Sequence, residues 1–156
     1  MVLITILQYI FGLHVIFFHP LALVFATKVK SHFTFGDNLE FYQKASIGGN
    51  KNGLRGYRNQ RFTGKNSFYH SSDLRLLLTK VKTSLVPLNF GIYSGFDYGK
   101  VWGEQSLTVN PGKVKSWNTS YGGGIFVNAA EMLGANLAVF SSDDGMRIAV
   151  GLGFKF

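Results

Sequence analysis

Apolar and polar residues alternate along most of this chain, which is the pattern of β-strands that carry one apolar face. The clearest alternation runs from Leu85 to Trp102. One face of that segment carries Val86, Leu88, Phe90, Ile92, Phe96 and Tyr98, and the other carries Asn89, Gly91, Tyr93, Gly95, Asp97 and Gly99. The same pattern predicts further strands at residues 20–33, 66–78, 118–128, 132–141 and 146–156.

Long and short connections alternate between these strands. The long connections are Thr34–Lys65 and Gly103–Ser116, and short turns are predicted near Thr79–Thr83 and Ala129–Glu131. Ser142–Gly145 is predicted to be a tight hairpin turn, because Asp-Gly is a strong hairpin signal. In outer-membrane barrels the long loops face outside and the short turns face the periplasm, so the same orientation is expected here.

The pattern favours an all-β fold, an antiparallel transmembrane β-barrel in the bacterial outer membrane. Leu85–Trp102 exceeds the usual length of a strand in a soluble domain, but it suits a tilted membrane strand that continues beyond the bilayer. The second face of the strands is dominated by Gly, Ser, Asn and isolated charges, as expected of a lumen, and the chain ends on Phe156. A soluble β domain is the alternative, because its strands would alternate in the same way.

The number of predicted strands indicates a part of a larger barrel. Six strands are clear, and Met1–Gly12 would be a seventh. Bacterial single-chain barrels have an even number of strands from eight upward, and an open sheet edge cannot face lipid. We therefore expect either a missed strand or further strands that complete the barrel. Two interpretations of residues 1–19 remain: a membrane strand followed by a turn, or a signal-like or helical segment. Residues 20–156 are the expected barrel region.

The charge of the chain predicts anionic partners. The formal net charge is +8, and six of the sixteen Lys and Arg residues lie between residues 35 and 65. Outer-membrane lipid and lipopolysaccharide are the expected partners, whereas the apolar strands argue against nucleic acid. The chain has no cysteine, and its four histidines lack metal-ligand spacing. No arrangement of Ser and His resembles a catalytic triad, so we predict no metal, no cofactor and no enzyme activity.

One polar and basic stretch, Ser46–Gly64, stands apart from the alternating segments. It is too rich in glycine and charge for a core strand, and its centre reads Leu54-Arg-Gly-Tyr-Arg58. We interpret it as part of a long loop, residues 34–65, that folds back onto its own barrel. The alternative is a basic loop on the surface.

Several motifs together resemble the outer-membrane assembly-factor barrels of the BamA and TamA type, also called the bacterial surface antigen family. These motifs are Phe41-Tyr-Gln43, Ser46-Ile-Gly-Gly49, Leu54-Arg-Gly-Tyr-Arg58, Arg61-Phe-Thr-Gly64, Asp73-Leu-Arg75, Gly95-Phe-Asp-Tyr-Gly-Lys-Val-Trp102 and Gly151-Leu-Gly-Phe-Lys-Phe156. The resemblance implies a sixteen-stranded barrel, of which this chain would form the last six or seven strands. It also implies work on client outer-membrane proteins during their insertion or assembly. A membrane-anchoring barrel of a surface hydrolase, or an inactive fragment of a larger barrel, are the alternatives.

The resemblance also implies a set of site residues. In that family the arginine of the Arg-Gly-Tyr motif reaches into the lumen and pairs with carboxylates of the barrel wall. Here Arg55, with Gly56 and Tyr57, would meet Asp97 and Asp73, and we call this arrangement the lumen-loop pin. The alternation places both aspartates on the lumen face, although Asp97 could instead be solvated there. Phe154 and Phe156 are the expected C-terminal assembly signal.

Overall fold

The structure, a computed structural model, describes residues 4–5, 22–34, 44–83, 86–103, 107–108, 117–129 and 133–154. Its regular elements are all strands: β1 (Ile4–Thr5), β2 (Ala22–Thr34), β3 (Ala45–Ile47), β4 (Phe62–Gly64), β5 (Asn66–Lys82), β6 (Pro87–Trp102), β7 (Leu107–Thr108), β8 (Asn118–Ala129), β9 (Leu133–Ser142) and β10 (Gly145–Phe154). Among the described residues, no helix is long and apolar enough to cross a membrane.

The main sheet is antiparallel and has the order β1-β2-β5-β6-β8-β9-β10. Six of its strands are long, whereas β1 contributes only two residues, which pair with Thr34 and Phe33. Each long strand pairs with the next long strand along the chain, so the sheet is a meander. The rest of the predicted 1–19 segment, with its open choice between strand and helix, lies outside the described residues.

The two faces of the sheet differ as the alternation predicts. The outer face, defined by Ile92, Phe96, Ile125, Leu137 and Ile148, consists of large apolar side chains that are exposed. The inner face, defined by Tyr69, Tyr93, Asp97, Ser120 and Phe140, is buried. An exposed apolar face opposite a buried face that includes polar groups is the arrangement of a sheet that meets lipid on one side.

The predicted turn at Thr79–Thr83 is wrong. Strand β5 continues to Lys82, and residues 79–82 pair with residues 87–90 of β6. A register shift between Leu77 and Thr79 places one extra residue, Leu78, in the ladder. A β-bulge of this kind moves the following side chains to opposite faces, so the apolar alternation ends at Leu78 although the strand does not. Of the other predicted turn, Ala129 belongs to β8, and residues 130–131 lie outside the described residues.

A second, small sheet has the order β3-β4-β7, in which β3 and β4 of the long loop pair with each other and β4 pairs with β7 of the connection 103–116. Side chains of the long loop form an apolar cluster with the main sheet, in which Ile47, Leu54, Tyr57 and Phe62 pack with Tyr69 of β5. Tyr57 and Phe62 meet edge to face, with their ring centroids 5.0 Å apart. The described part of the loop therefore lies against the inner face, where its apolar residues hold it in place.

Candidate functional site

The tip of the loop is compact because its backbone folds on itself. Gly49 N donates to the carbonyl of Leu54 at 3.1 Å, and Tyr57 N donates to the same carbonyl at 3.0 Å. Gly53 has a φ of +85°, a conformation that other residues rarely adopt, and it lies directly against the Tyr69 ring. These contacts turn the chain so that Arg55 points toward the wall of the sheet.

Arg55 and Asp97 form the central contact of the site. The guanidinium donates from Nε to both carboxylate oxygens, at 3.1 and 3.0 Å, and from Nη2 to Oδ1 at 2.6 Å. The backbone N–H of Arg55 donates to Oδ2 at 2.9 Å. Ser120, which faces Asp97 across β6 and β8, also donates to Oδ2 at 2.9 Å. Asp97 is fully buried and its charge is compensated by these donors.

Asp73 lies on the other side of the same guanidinium. Its Oδ1 is 2.7 Å from Arg55 Nη1, and its Oδ2 accepts a hydrogen bond from Arg75 at 2.8 Å. The contact to Arg55 is an ion pair that lacks the angle of a hydrogen bond, since Oδ1 has no hydrogen-bond partner among the described residues. Asp97 is therefore the stronger partner of Arg55, because it supplies both charge and directed hydrogen bonds.

The register of β5 and β6 leaves a space for the guanidinium between the two aspartates. Gly95 lies opposite Asp73, and Asp97 follows two residues later on the same face. A Cβ atom at Gly95 would lie 2.5 Å from Arg55 Nη2, so a side chain there would displace the guanidinium. Below it, the Phe140 ring centroid lies 4.2 Å from Arg55 Cζ, a cation–π contact.

The surroundings keep Arg55 charged. Burial opposes the charged form, but the hydrogen bond to Asp97 and the negative charges of Asp97 and Asp73 outweigh it and raise the pKa of Arg55. An arginine is protonated at every physiological pH in any case. Arg55 therefore contacts the wall of the sheet as a cation, through charge and hydrogen bonds.

Gly56 and Tyr57 bring the loop close to the wall. A Cβ atom at Gly56 would lie 2.8 Å from Ser120 Cβ and 2.9 Å from Ser142 Cβ. Ser142 Oγ donates to the carbonyl of Gly56 at 2.8 Å. Tyr57 is buried in the apolar cluster of the loop. The structure thus brings together Arg55, Gly56, Asp97 and Asp73, while Tyr57 packs beside them.

A second group of contacts, which the sequence did not predict, joins the loop to β9 and β10. Arg61 donates from Nε to Asp144 Oδ2 at 2.5 Å and from Nη2 to Oδ1 at 3.3 Å. The hydrogen bond to Asp144 raises the pKa of Arg61. Asn50 donates to the carbonyl of Val150 at 2.7 Å. The Asp-Gly turn was recognised as a hairpin, but no sequence signal identifies its carboxylate as a partner of a loop residue 83 positions away.

Aromatic side chains cluster on the outer face near one end of the strands. Trp117 lies edge to face with Phe68, at 6.0 Å between centroids, and 5.7 Å from the Tyr98 ring. Trp102 meets Phe33 at 5.9 Å. Rings of this kind at strand ends fit the interfacial girdle of a membrane barrel.

The structure does not test the predicted C-terminal assembly signal, Phe154 and Phe156. Phe156 lies outside the described residues, and of Phe154 only the backbone, in β10, is described. The C-terminal assembly signal therefore stays a prediction.

Among the residues that the structure describes, no group of three or more His, Asp or Glu side chains could hold a metal ion.

An apolar outer face, a polar inner face and a loop packed on the inner face are the features of an outer-membrane β-barrel protein. The family model described as haemolysin secretion/activation protein ShlB/FhaC/HecB matches residues 10–123 of the chain. The chain belongs to this family, whose members are outer-membrane secretion and activation transporters of the Omp85 type, and it is an outer-membrane protein of a Gram-negative bacterium.

The resemblance to assembly-factor barrels therefore holds at the level of the broad Omp85 superfamily. The narrower BamA and TamA assignment is not established by the family match. Comparison with curated proteins and with solved structures yields no significant match.

Proposed function

We propose that this chain forms part of the barrel of an outer-membrane transporter through which a polypeptide is secreted, and that the pin keeps the loop inside that barrel. The contact between Arg55 and Asp97 carries the proposal, because it ties the tip of the loop to the inner face. The family of secretion and activation proteins supplies the class of cargo, a secreted polypeptide. The six long strands of the main sheet, or seven with β1, would be the last of sixteen, and residues 20–156 would be the barrel region.

The physical argument rests on what moving the loop would require. Lifting Arg55 from the wall would leave Asp97 buried without a countercharge and would expose the apolar cluster around Leu54. Breaking a desolvated ion pair costs about 3–5 kcal/mol, and water in the lumen lowers that figure. The loop is therefore a fixed part of the passage, and the transported chain would pass beside it rather than push it out.

A second candidate is the insertion or assembly of outer-membrane proteins. Its support is the motif resemblance described above, in particular Leu54-Arg-Gly-Tyr-Arg58 and the terminal Gly151–Phe156 segment. Client outer-membrane proteins, the remaining strands of the barrel and the surrounding lipopolysaccharide would be the partners. The two candidates share the loop and the pin, so they differ in the fate of the client rather than in the site.

Proteoliposomes that contain the full protein would separate the two candidates. A radiolabelled, unfolded haemolysin-type polypeptide is added, and the fraction that becomes protected from external protease is measured. In parallel, an unfolded outer-membrane barrel is added, and its folding is followed by heat-modifiable mobility on a gel. Empty liposomes provide the background for both measurements.

The proposed function predicts transfer of the polypeptide without accelerated folding of the added barrel. Arg55→Ala should reduce transfer, whereas Arg58→Ala, which removes the same charge from an exposed position in the same loop, should not. Accelerated barrel folding without transfer would support the assembly role instead. A protein that does neither would act as an anchor, and the proposal would be wrong.

A further inference from the structure

A cavity of about 190 Å³ lies between the loop and strands β2 and β5, and its walls carry Lys28, Lys51, Arg55, Tyr69, Asp73 and Arg75. We infer that this cavity is a binding site for an oxyanion, the chemistry that a carboxylate and a phosphate share. The contacts of Arg55 with Asp97 and Asp73 involve neither of the two lysines. The inference does not depend on what the barrel transports.

The charges around the cavity do not balance. Arg55 and Arg75 are matched by two carboxylates, since Asp73 contacts both of them and Asp97 binds Arg55. Lys28 and Lys51 remain, and no carboxylate of the described residues forms an ion pair with either ammonium group. The walls therefore hold two positive charges in excess.

Tyr69 also lines the cavity. Its side chain is buried, and its hydroxyl has no hydrogen-bond partner among the described residues. The Lys28 Nζ atom lies 5.8 Å from the centroid of the Tyr69 ring, so the ring helps to hold this ammonium group beside the cavity.

Because the two lysines belong to different parts of the chain, an anion bound between them would attach the loop to the sheet. Lys28 belongs to the wall strand β2, whereas Lys51 belongs to the loop. An anion that contacts both would connect the loop to β2, at a place separate from the β6 contact of Arg55. Among the described residues that line the cavity, Asp73 carries the one carboxylate, and its charge is taken up by the two arginines.

Equilibrium dialysis with radiolabelled inorganic phosphate tests the site directly. The full protein is purified in detergent and freed of lipopolysaccharide, whose phosphates would compete, and the ionic strength is held constant with chloride. We expect saturable binding that weakens about tenfold in Lys28→Gln and in Lys51→Gln, the change for losing one charged hydrogen bond. Lys28→Arg should restore most of the affinity.

A matched control is available at the other end of β5. Lys80→Gln and Lys82→Gln remove the same charge from exposed positions and should leave the affinity within twofold of the unaltered protein. An unsaturable isotherm, or equal weakening in the control variants, would show that phosphate responds only to net charge and would overturn the inference. Protease protection of the loop checks that each variant is folded.

A competing peptide then identifies the source of the anion. A short glutamate-rich peptide that displaces phosphate from the unaltered protein, but has no effect on Lys28→Gln, would show that the site accepts acidic side chains of a polypeptide. Failure of the peptide to displace phosphate would restrict the site to free phosphate groups. The absence of saturable phosphate binding would reject both sources.

Discussion

Two arginines of the same loop make ion pairs with the wall of the sheet, and the two pairs differ in their burial. Arg55 and Asp97 have side chains that are 11% and 0% exposed, whereas Arg61 and Asp144 are 15% and 33% exposed. Arg55 also donates its backbone N–H to the carboxylate, and Ser120 adds a further donor. The contact of Arg61 is made by its side chain alone, at the β9–β10 turn.

The difference shows that the environment, more than the distance between charges, decides what an ion pair contributes. Water reaches Asp144 in the folded protein, so its charge is not left desolvated when the pair is broken, and breaking the pair costs little. Asp97 has no such alternative, because removal of its partner would leave a buried charge. The four predictions below test this comparison, from the largest expected effect to the smallest.

Asp97→Ala should release the loop. The change leaves the Arg55 guanidinium, its backbone N–H and the Ser120 hydroxyl without their shared acceptor. We expect the seated loop to lose about 3–5 kcal/mol, less where water reaches the site. Limited proteolysis of the protein in outer-membrane vesicles should show rapid cleavage within residues 44–64. Cleavage at the rate of the unaltered protein would mean that Asp97 does not hold the loop.

Gly56→Ala should prevent the close approach of loop and wall without removing a charge. The added methyl group would lie within 2.9 Å of atoms in Ser120, Ser141 and Ser142, so the backbone would have to shift. Overpacking of this kind costs about 1–3 kcal/mol. The same proteolysis assay measures the effect. Gly153→Ala is the matched control, because a Cβ atom there meets nothing within 4 Å.

If Gly56→Ala and Gly153→Ala gave equal cleavage rates, the contact with the wall would not limit release of the loop. A faster rate for Gly56→Ala alone would show that shape, in addition to charge, contributes to the packing of the loop.

Ser142→Ala should weaken the loop moderately. The hydroxyl donates to the Gly56 carbonyl at 2.8 Å and accepts from the backbone N–H of Asp144 at 3.2 Å. Loss of the first hydrogen bond should cost about 0.5–1.5 kcal/mol. Hydrogen exchange of the loop amides, read by mass spectrometry, should increase modestly. Ser142→Thr keeps the hydroxyl and should restore protection, and an effect as large as that of Asp97→Ala would contradict the ranking.

Asp144→Ala should have the smallest effect. The pair with Arg61 is partly exposed, and such pairs contribute about 0.2–1 kcal/mol. The effect should decline further when the ionic strength is raised, because salt screens exposed charges. Hydrogen exchange at low and high salt measures both. A loss that equals that of Asp97→Ala, or that is independent of salt, would show that burial does not separate the two pairs.

Much of the sheet could be predicted from the alternation of residues, because side chains on a strand point to opposite faces in turn. The inward position of Asp97 and Tyr93 and the outward position of Ile92 and Phe96 were predicted in this way, and their burial agrees. The course of β5 beyond Leu78 was not, because the bulge changes the face of each following residue. The strands β3 and β4 were also missed, since three residues are too few to show a period.

The sequence by itself determined the class of fold, the two faces of the strands and, through its motifs, the residues that belong to the pin. Only the tertiary structure decided which partners surround them: Ser120, Phe140 and Ser142 reach the loop because β8 and β9 pair in one register. It also decided that Arg61 meets Asp144 and that Lys28 and Lys51 share one cavity. Local patterns record the face of a residue, whereas distances between remote segments depend on strand pairing and loop packing, which local periodicity does not encode.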